Sequence, residues 1–342
     1  MKKVCLFLSA AMAVTLALGG CAAPQASSGL AAVAPKPLYR DPVYDGAADV
    51  SIVFDPAIKG WRMFYTNRRA TLKLPDNDVS WVHGTKIGMA TSKDGLEWAY
   101  DGTAEIPAAC GAETLWAPEV YEENGTYHMW LTEVPGIFSN WKAGRSIVHL
   151  TSQDLKQWEC RGALEVGSRR IIDASVIKKD GLYRLWFKDE EKGSRLFVAT
   201  STDLEHWQRQ PEPVADIAAE GPKVFAFGGY YWLIADAWKG LMVLRSTDLE
   251  HWEPQPERIL EQPGTAPTDD DKGQHPDVLV NDGKAFIYYF VHQFNAPEAR
   301  TDAHFGQRTV IQVAELKLEN GWLRVDRNAP AEARLKAPTD HR

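Results

Sequence analysis

The chain has 342 residues, a hydrophobic fraction of 44% and a formal net charge of −8 at pH 7. This charge gives no electrostatic reason to bind nucleic acid or an anionic membrane surface, so neither is expected as a partner. Beyond its first segment the chain keeps roughly 300 residues, which suits either two domains or one large all-β domain.

The N-terminal segment resembles a bacterial lipoprotein signal peptide. It begins Met1-Lys2-Lys3, is almost wholly apolar over residues 4–18, and ends in Gly19-Gly20-Cys21. An apolar run this short and this close to the start is typical of a cleaved signal and not of a membrane-spanning helix. We therefore expect residues 1–21 to comprise the signal and a lipidated Cys21, so that the membrane is contacted through the lipid anchor alone.

Residues 22–40 are rich in Ala, Pro and Ser, which predicts a flexible tether. Cys21 is directly followed by Ala22 and Ala23 and not by Asp, and resemblance to other lipoproteins then implies an outer-membrane anchor in the cell envelope of a Gram-negative bacterium. Cys5 would leave with the signal, so Cys110 and Cys160 are the two thiols that could pair in an oxidising compartment. The spacing of these two cysteines leaves their pairing open.

Two repeats predict the fold of residues 41–330, with residues 331–342 left as a C-terminal tail. The first repeat is a glycine followed by an aromatic-rich strand, and each copy comes after a short β-branched run, as in a β-hairpin. Its five copies begin at Gly60, Gly125, Gly181, Gly229 and Gly283. The second repeat is a Ser/Thr-Asp turn followed by a tryptophan, found before Trp98, Trp158, Trp207 and Trp252. Units of about four strands are propeller blades, so we predict an all-β, five-bladed β-propeller.

The last blade lacks the tryptophan turn. We expect Val310–Leu316 and Gly321-Trp322-Leu323 to supply its outer strands. In the other four units the turn Asp should accept backbone hydrogen bonds, and the Trp should pack between neighbouring sheets. This repeat is therefore interpreted as structural and not catalytic.

Aligning the five units on their glycines brings acidic residues to one place. The first strand of each blade lines the central channel of a propeller, so residues at its start converge on one mouth. The aligned segments begin at Asp49, Ala117, Asp173, Gly221 and His275. Glu220 directly precedes the segment that begins at Gly221. Any one of these carboxylates could be a structural cap or ion pair. Several around one channel repel each other, and burial raises at least one pKa, which separates a general acid from a general base.

At these positions the chain resembles the five-bladed glycoside hydrolases, especially family 43 with its arabinanases, arabinofuranosidases and β-xylosidases. The resemblance covers about residues 45–292 and rests on Trp116-Ala117-Pro118-Glu119-Val120-Tyr121, Ile172-Asp173, Glu220-Gly221-Pro222 and His275. It implies a glycosidase in which Asp49 is the general base, Asp173 tunes and orients the acid, and Glu220 is the general acid. We expect an inverting, exo-acting enzyme on oligo- or polysaccharides.

Two departures from that family bear on the assignment. The family usually has Asp-Pro at the first and third sites, where this chain has Asp49-Val50 and Asp173-Ala174. Asp41-Pro42 and Asp55-Pro56 are rivals for the first site, but Asp41 precedes the aligned strand and Asp55 lies in the hairpin turn. The altered sites also keep open a carbohydrate-binding propeller without activity. A polysaccharide lyase on the same scaffold is a third reading, favoured by the basic residues near the mouth.

Further side chains at strand ends are candidate substrate contacts. Indole rings stack on sugar faces, and Arg or Lys can bind hydroxyls or a carboxylate, although solvated charges and packed indoles are the plainer reading. The candidates are Arg68, Trp81, His83, Trp116, Glu119, Lys188, Asp236, Trp238, His275 and His292. Glu119 stands where the family usually has Asp.

No cofactor is expected to be required. The sequence has no Gly-rich phosphate loop, no Cys/His zinc spacing and no nucleophilic serine elbow. The family resemblance implies that His275 could instead hold a water or a central metal ion, such as a structural calcium ion in the channel, while a hydrogen-bonded core histidine is the alternative. The expected partner is the saccharide substrate, and the expected assembly is a monomer.

Overall fold

The structure is a computed structural model, and it describes Met1 and residues 33–338. The predicted signal, Cys21 and the first part of the tether lie outside the described residues. None of the helices within the described part of the chain is long and apolar enough to span a membrane.

Within residues 33–338 the strands form five antiparallel sheets of four strands each, which confirms the predicted five-bladed β-propeller. The first blade contains β1 (Ala47–Asp55), β2 (Gly60–Asn67), β3 (Lys86–Ser92) and β4 (Ala99–Thr103), and the second β5 (Thr114–Glu123), β6 (Thr126–Val134), β7 (Ser146–Ser152) and β8 (Glu159–Ala163). The third contains β9 (Ile171–Lys179), β10 (Leu182–Asp189), β11 (Arg195–Ser201) and β12 (Gln208–Arg209). The fourth contains β13 (Glu220–Phe227), β14 (Tyr230–Asp236), β15 (Leu241–Ser246) and β16 (Glu253–Pro254), and the fifth β17 (Gln274–Asn281), β18 (Lys284–His292), β19 (Thr309–Glu319) and β20 (Trp322–Val325).

Short 3-10 turns lie in the loops at Ser80–Val82, Ala108–Cys110, Glu190–Lys192, Pro297–Arg300 and Phe305–Gln307. The first strand of each blade contacts the first strands of both neighbouring blades, and β17 contacts β1, so the ring is closed. β19 and β20 are the outer strands predicted for the last blade.

The tryptophan-turn repeat packs the second, third and fourth blades each against the blade before it. Asp154, Asp203 and Asp248 each accept two backbone N–H bonds within their turns, as expected for Asx turns. Each following indole meets an aromatic ring on the second strand of the preceding blade. These ring pairs are Phe64–Trp158, Trp130–Trp207 and Trp186–Trp252, with centroids 5.8, 6.1 and 6.1 Å apart. Trp322 takes this place in the fifth blade, 6.4 Å from Trp232.

Segments at both ends of the described chain pack where the last blade meets the first. Ala34, Leu38 and Tyr39, which the sequence places in the tether, are buried, and the Leu38 N–H donates to the Ile311 carbonyl at 2.9 Å. The Leu335 N–H, in the predicted tail, donates to the Asp94 carbonyl at 2.7 Å. The folded domain therefore includes residues on both sides of the predicted boundaries.

Cys110 and Cys160 form a disulfide that joins the turn before the second blade to its outer strand. The two cysteines are 50 residues apart, and closing a loop of this length removes much conformational entropy from the unfolded chain. We expect Cys110→Ala/Cys160→Ala to lower the free energy of unfolding by about 2–4 kcal/mol, measured by urea denaturation. Dithiothreitol should lower the stability of the parent and leave that of the double variant unchanged. An equal response of both proteins to the reductant would contradict a stabilising disulfide.

Candidate active site

The first strand of every blade has a β-bulge at the aligned position. Each of the five residues there has a positive φ, and the pairing register with the second strand shifts around it. The residues are Asp49 (51°), Ala117 (47°), Asp173 (62°), Gly221 (55°) and His275 (37°). A left-handed backbone is costly for residues other than glycine, and bulges of this kind redirect side chains next to active sites. At the bulge, the first, third and fifth blades bring Asp49, Asp173 and His275 to the channel mouth, and the second and fourth blades bring the preceding residues, Trp116 and Glu220.

A cavity of about 390 Å³ opens at this mouth. Its lining brings together Asp49, Asp173, Glu220 and His275, the four residues that the alignment places on one mouth. The rest of the lining is Arg68, Trp81, Val82, Trp116, Trp141, Arg145, Lys188, Glu190, Trp238, Gln274, Phe290 and His292. Aromatic walls with a few convergent charged groups are typical of a small-molecule site.

Asp49 is held as a carboxylate. Its Oδ1 lies 3.1 Å from Nη2 of Arg68 and 3.3 Å from Nδ1 of His275, and the side chain is almost fully buried. Burial opposes ionisation, but the Arg68 guanidinium and His275 outweigh it and hold the pKa of Asp49 below its usual value. Arg68 in turn packs 4.4 Å from the centroid of the Phe290 ring. An ionised, oriented carboxylate is suited to accept a proton.

The pKa of Asp173 is shifted in the opposite direction from that of Asp49. Burial raises its pKa to about 6, and the neighbouring Glu220 adds to this against the pull of His275. Its Oδ2 accepts a 2.9 Å hydrogen bond from the N–H of Gly221, which directly follows Glu220. Asp173 therefore fixes the backbone that carries Glu220.

Glu220 is the more accessible carboxylate, with 27% of its side chain exposed. Its Oε2 accepts a 2.8 Å hydrogen bond from Nζ of Lys188, whose ammonium also lies 3.3 Å from Glu190 and 5.3 Å from the centroid of the Trp238 ring. Burial lowers the pKa of Lys188, but Glu220 and Asp173 outweigh it and raise that pKa, so the ammonium is kept charged. Glu220 is thus oriented by a cation while part of it stays open to a ligand.

His275 stands among these acids. A Cβ on Gly221 would come 2.6 Å from Cγ of His275, so only glycine allows the imidazole to pack this closely. Burial lowers the pKa of His275, but Asp49 and the other carboxylates outweigh it and raise that pKa. His275 therefore stands beside two aspartates whose pKa values are shifted in opposite directions, lowered for Asp49 and raised for Asp173.

Seven of the predicted substrate contacts line the cavity: Arg68, Trp81, Trp116, Lys188, Trp238, His275 and His292. Three others lie behind the lining. His83 is fully buried against Trp116, with ring centroids 5.1 Å apart, and burial lowers its pKa to about 4. Asp236 is buried and accepts the Trp238 N–H at 2.7 Å, and burial raises its pKa to about 6. Asp236 thus supports a cavity residue rather than contacting the cavity itself.

The third predicted contact that lies behind the lining is Glu119. Its surroundings show that the channel does not fit a calcium ion here. Glu119 is the third residue of its aligned segment. Nζ of Lys223 lies 2.8 Å from Oε2 of Glu119 on one side and 2.8 Å from Oδ1 of Asp277 on the other. An ammonium already occupies the place where these carboxylates would bind a cation, and Nδ1 of His275 faces Asp49. Among residues 33–338 no group of three or more His, Cys, Asp or Glu side chains could hold a metal ion.

The third residue of each aligned segment joins neighbouring blades. Asp277 accepts the N–H of Ile52 at 2.9 Å, and Ser51 accepts the N–H of Val120 at 3.0 Å. Glu119 and Ser175 continue the ring by accepting the Val176 and Val224 N–H groups at 3.2 and 3.0 Å. Lys223 cannot accept, and its ion pair with Asp277 closes the ring instead. These bonds fix the relative positions of the strands that carry the acids.

Asp41 and Asp55, the other candidates for the general base, form hydrogen bonds and ion pairs outside the cavity. Asp41 accepts hydrogen bonds from the Tyr65 hydroxyl at 2.6 Å and the Val43 N–H at 2.9 Å. Asp55 is paired with the buried Arg62 at 3.0 Å. Neither side chain lines the cavity.

Trp141, Arg145 and Glu190 line the cavity without having been predicted from the sequence. The first two come from the loop between β6 and β7, where Arg145 packs 5.3 Å from the Trp116 ring. Glu190 follows Lys188-Asp189 and pairs with Arg170 at 2.8 Å. Trp141 and Arg145 lie outside the repeats, so the alignment of the repeats could not identify them. Glu190 lies two residues after the predicted contact Lys188, and this position could have identified it.

Replacing Asp173 should stabilise the protein at alkaline pH. A carboxyl whose pKa rises from 3.8 to about 6 on folding binds protons more tightly when folded, so its stabilising contribution is present below pH 3.8 and is lost as the pH rises through 6. Asn does not titrate and can still accept from Gly221. We expect Asp173→Asn to raise the free energy of unfolding by about 2 kcal/mol at pH 8 and by much less at pH 4.5. Urea denaturation at the two pH values measures this.

The exposed Asp76 provides the control, because Asp76→Asn should change neither value. A gain for Asp173→Asn that is the same at both pH values would contradict the burial of an ionised Asp173.

Known proteins share this fold. A thermostable family-43 glycoside hydrolase superposes with a TM-score of 0.61 at 16% identity, covering 89% of this chain and all of the other. An exo-1,5-α-L-arabinanase from a bovine ruminal metagenomic library gives a TM-score of 0.58 at 17% identity, covering 84% of this chain and 99% of the other. At such identities the likeness concerns the fold.

Sequence comparisons identify the family. A probable arabinan endo-1,5-α-L-arabinosidase A of Aspergillus fumigatus is 26% identical over 170 residues, which is 47% of this chain and 51% of that protein. The chain thus spans about half the length of the curated relatives it matches. A family model described as a probable glycosyl hydrolase domain, related to glycoside hydrolase family 43, matches residues 45–266 and so most of the propeller. The chain therefore belongs to this family 43-related family of probable glycosyl hydrolase domains.

Proposed function

We propose that this protein hydrolyses glycosidic bonds, with Glu220 as general acid, Asp49 as general base and Asp173 as the residue that orients and tunes the acid. The observation that carries the proposal is the convergence of these three carboxylates, from the first, third and fourth blades, in one aromatic-walled cavity. Their order along the chain is the order that the family resemblance implies.

The electrostatics supports these roles. Asp49 has a lowered pKa and two cationic neighbours, so it is ionised and can take a proton from water. Glu220 is partly exposed, so it can reach a glycosidic oxygen after leaving Lys188. Asp173 accepts the N–H of the residue after Glu220 and so orients the backbone that carries the acid.

Inversion of the anomeric centre is the proposed outcome. Inverting enzymes need space for a water between the acid and the base, with carboxyl groups about 6.5–9.5 Å apart. The blades of Asp49 and Glu220 are separated by the fifth blade, whose His275 packs against both Asp49 and Gly221. An imidazole that contacts Asp49 and the residue after Glu220 favours a wide separation of the two carboxylates.

We further propose exo action on arabinose- or xylose-containing chains. The Glu119–Lys223–Asp277 cluster fills the channel two residues further along the same strands, which favours a cavity closed below. The A. fumigatus relative bears the name of an endo-acting arabinanase, which makes arabino-oligosaccharides the first substrates to test.

The test uses protein lacking residues 1–21 with arabino- and xylo-oligosaccharides. Product chromatography should show release of single sugars, and NMR of the first product should show the inverted anomer. Endo-products or retention would overturn the corresponding proposal. A product absorbing in the ultraviolet would indicate a lyase, and calorimetric binding without cleavage would indicate a carbohydrate-binding propeller.

The location in the envelope is likewise proposed. A lipid on Cys21 with more than one acyl chain is sufficient for stable attachment, which would leave the domain beside the outer membrane, where oligosaccharides arrive. Cys21→Ser should fractionate as soluble or unprocessed protein, and recovery with the outer membrane, as for the parent, would contradict the anchor.

A further inference from the structure

Trp238 lies in the loop between β14 and β15 and has an unusual backbone conformation. Its φ is +59°, which is a genuine outlier for a bulky aromatic residue. Oδ1 of the buried Asp236 accepts the Trp238 N–H at 2.7 Å and so stabilises this conformation. Asp236 is the cross-strand partner of Glu220. The loop therefore fixes an indole beside the candidate acid at a local energetic cost, a pattern that is common at functional sites.

The exposure of the aromatic rings differs around the cavity. Phe290 and Trp116 line it with only 3% and 7% of their surface exposed. Trp238, by contrast, is 41% exposed, while its ring centroid lies 5.3 Å from the Lys188 ammonium that binds Glu220. The cavity therefore has a buried ring beside Asp49, where Phe290 packs on Arg68, and an open side beside Glu220, while a second exposed indole, Trp141, lies on the second-blade side.

In the proposed mechanism, this difference in the exposure of the rings bears on where the leaving group binds. The sugar that is attacked lies between Asp49 and Glu220, and the bond to the leaving group passes Glu220, so the leaving group extends toward the open side. We propose that Trp238 is the platform on which the first sugar ring of the leaving group stacks, an inference that rests on the proposed glycosidase function. Trp238 thereby selects oligosaccharides over glycosides of small alcohols.

Trp141 is the rival platform, because it is 51% exposed and also lines the cavity. Its ring belongs to a different cluster, 6.1 Å from Trp116 and 6.2 Å from His83. Its carbonyl accepts a 2.9 Å hydrogen bond from Arg170, on the second-blade side of the mouth. Trp141 therefore serves as the comparison that separates a leaving-group contact from a general rim aromatic.

The experiment compares two substrates with the same reacting sugar. 1,5-α-L-arabinobiose leaves a sugar ring, whereas methyl α-L-arabinofuranoside leaves methanol and still needs an acid; xylobiose and methyl β-D-xyloside form the equivalent pair. We expect Trp238→Ala to lower kcat/KM about tenfold on the disaccharide, equivalent to about 1.4 kcal/mol of lost stacking, and less than twofold on the methyl glycoside. Trp238→Phe should restore most of the loss. Tyr100→Ala, an exposed aromatic on the outer strand of the first blade, should change neither rate.

Three results would overturn the inference. Trp238→Ala could lower both rates equally or leave both unchanged, or Trp141→Ala could show the selective loss instead. A parent protein that cleaves no glycoside overturns the proposed function as well. An active parent without the selective loss overturns the role of Trp238 alone.

Discussion

Glu220→Gln should lower kcat/KM on arabinobiose by about 10²–10⁴-fold, the range expected for loss of a general acid. The amide keeps the shape of the side chain but has no proton to give to a sugar alkoxide, which is a poor leaving group. On 4-nitrophenyl α-L-arabinofuranoside the loss should be much smaller, because nitrophenolate departs without protonation. Initial rates on the two substrates measure the difference. The half-buried position of Glu220 should keep the fold intact, as thermal unfolding can verify.

Glu190→Gln is the matched control for this prediction. Glu190 also lines the cavity and also pairs with Lys188, at 3.3 Å, but Arg170 holds it at 2.8 Å. Its replacement should affect both substrates to a similar extent. Full activity of Glu220→Gln on arabinobiose, or an equal loss on both substrates, would remove Glu220 from the role of acid.

The fold could be predicted because its determinants are local and repeated. A glycine turn before an aromatic strand, and an Asp turn before a tryptophan, recur at similar spacing and are sufficient to count the blades. The same repetition placed Asp49, Asp173 and His275 in one column, since a bulge with positive φ occurs at the same point in each first strand. The bulge itself has no sequence signature, because only Gly221 of the five is a glycine.

The lining of the cavity was less predictable, because it depends on loops that do not repeat. Trp141 and Arg145 reach the mouth from the loop between β6 and β7, which is not part of either sequence repeat. Glu119 was predicted to contact substrate from its place in a motif. It instead faces Lys223, because it stands two residues beyond the bulge, at a depth where the side chains join neighbouring blades. The distinction between mouth and interior requires the register, which the motif alone does not contain.

Asp49→Asn should lower kcat by about 10²–10⁴-fold on arabinobiose and on the nitrophenyl glycoside alike. Activation of water is needed whatever the leaving group, so an activated substrate cannot compensate, in contrast to Glu220→Gln. The lowered pKa of Asp49 keeps the base ionised, so on the acidic side activity should fall as the pH drops through that lowered value. Rates on both substrates, measured from pH 3 to pH 8, test this.

Asp41→Asn separates a structural acid from a catalytic one. Asp41 is as buried as Asp49 and accepts from the Tyr65 hydroxyl at 2.6 Å, but it lies outside the cavity lining. Its replacement should lower stability and leave kcat unchanged below the unfolding temperature. If folded Asp41→Asn lost kcat while Asp49→Asn kept it, the base would have to be reassigned to Asp41, and Arg68 and His275 would then orient a carboxylate with no part in the proton transfer.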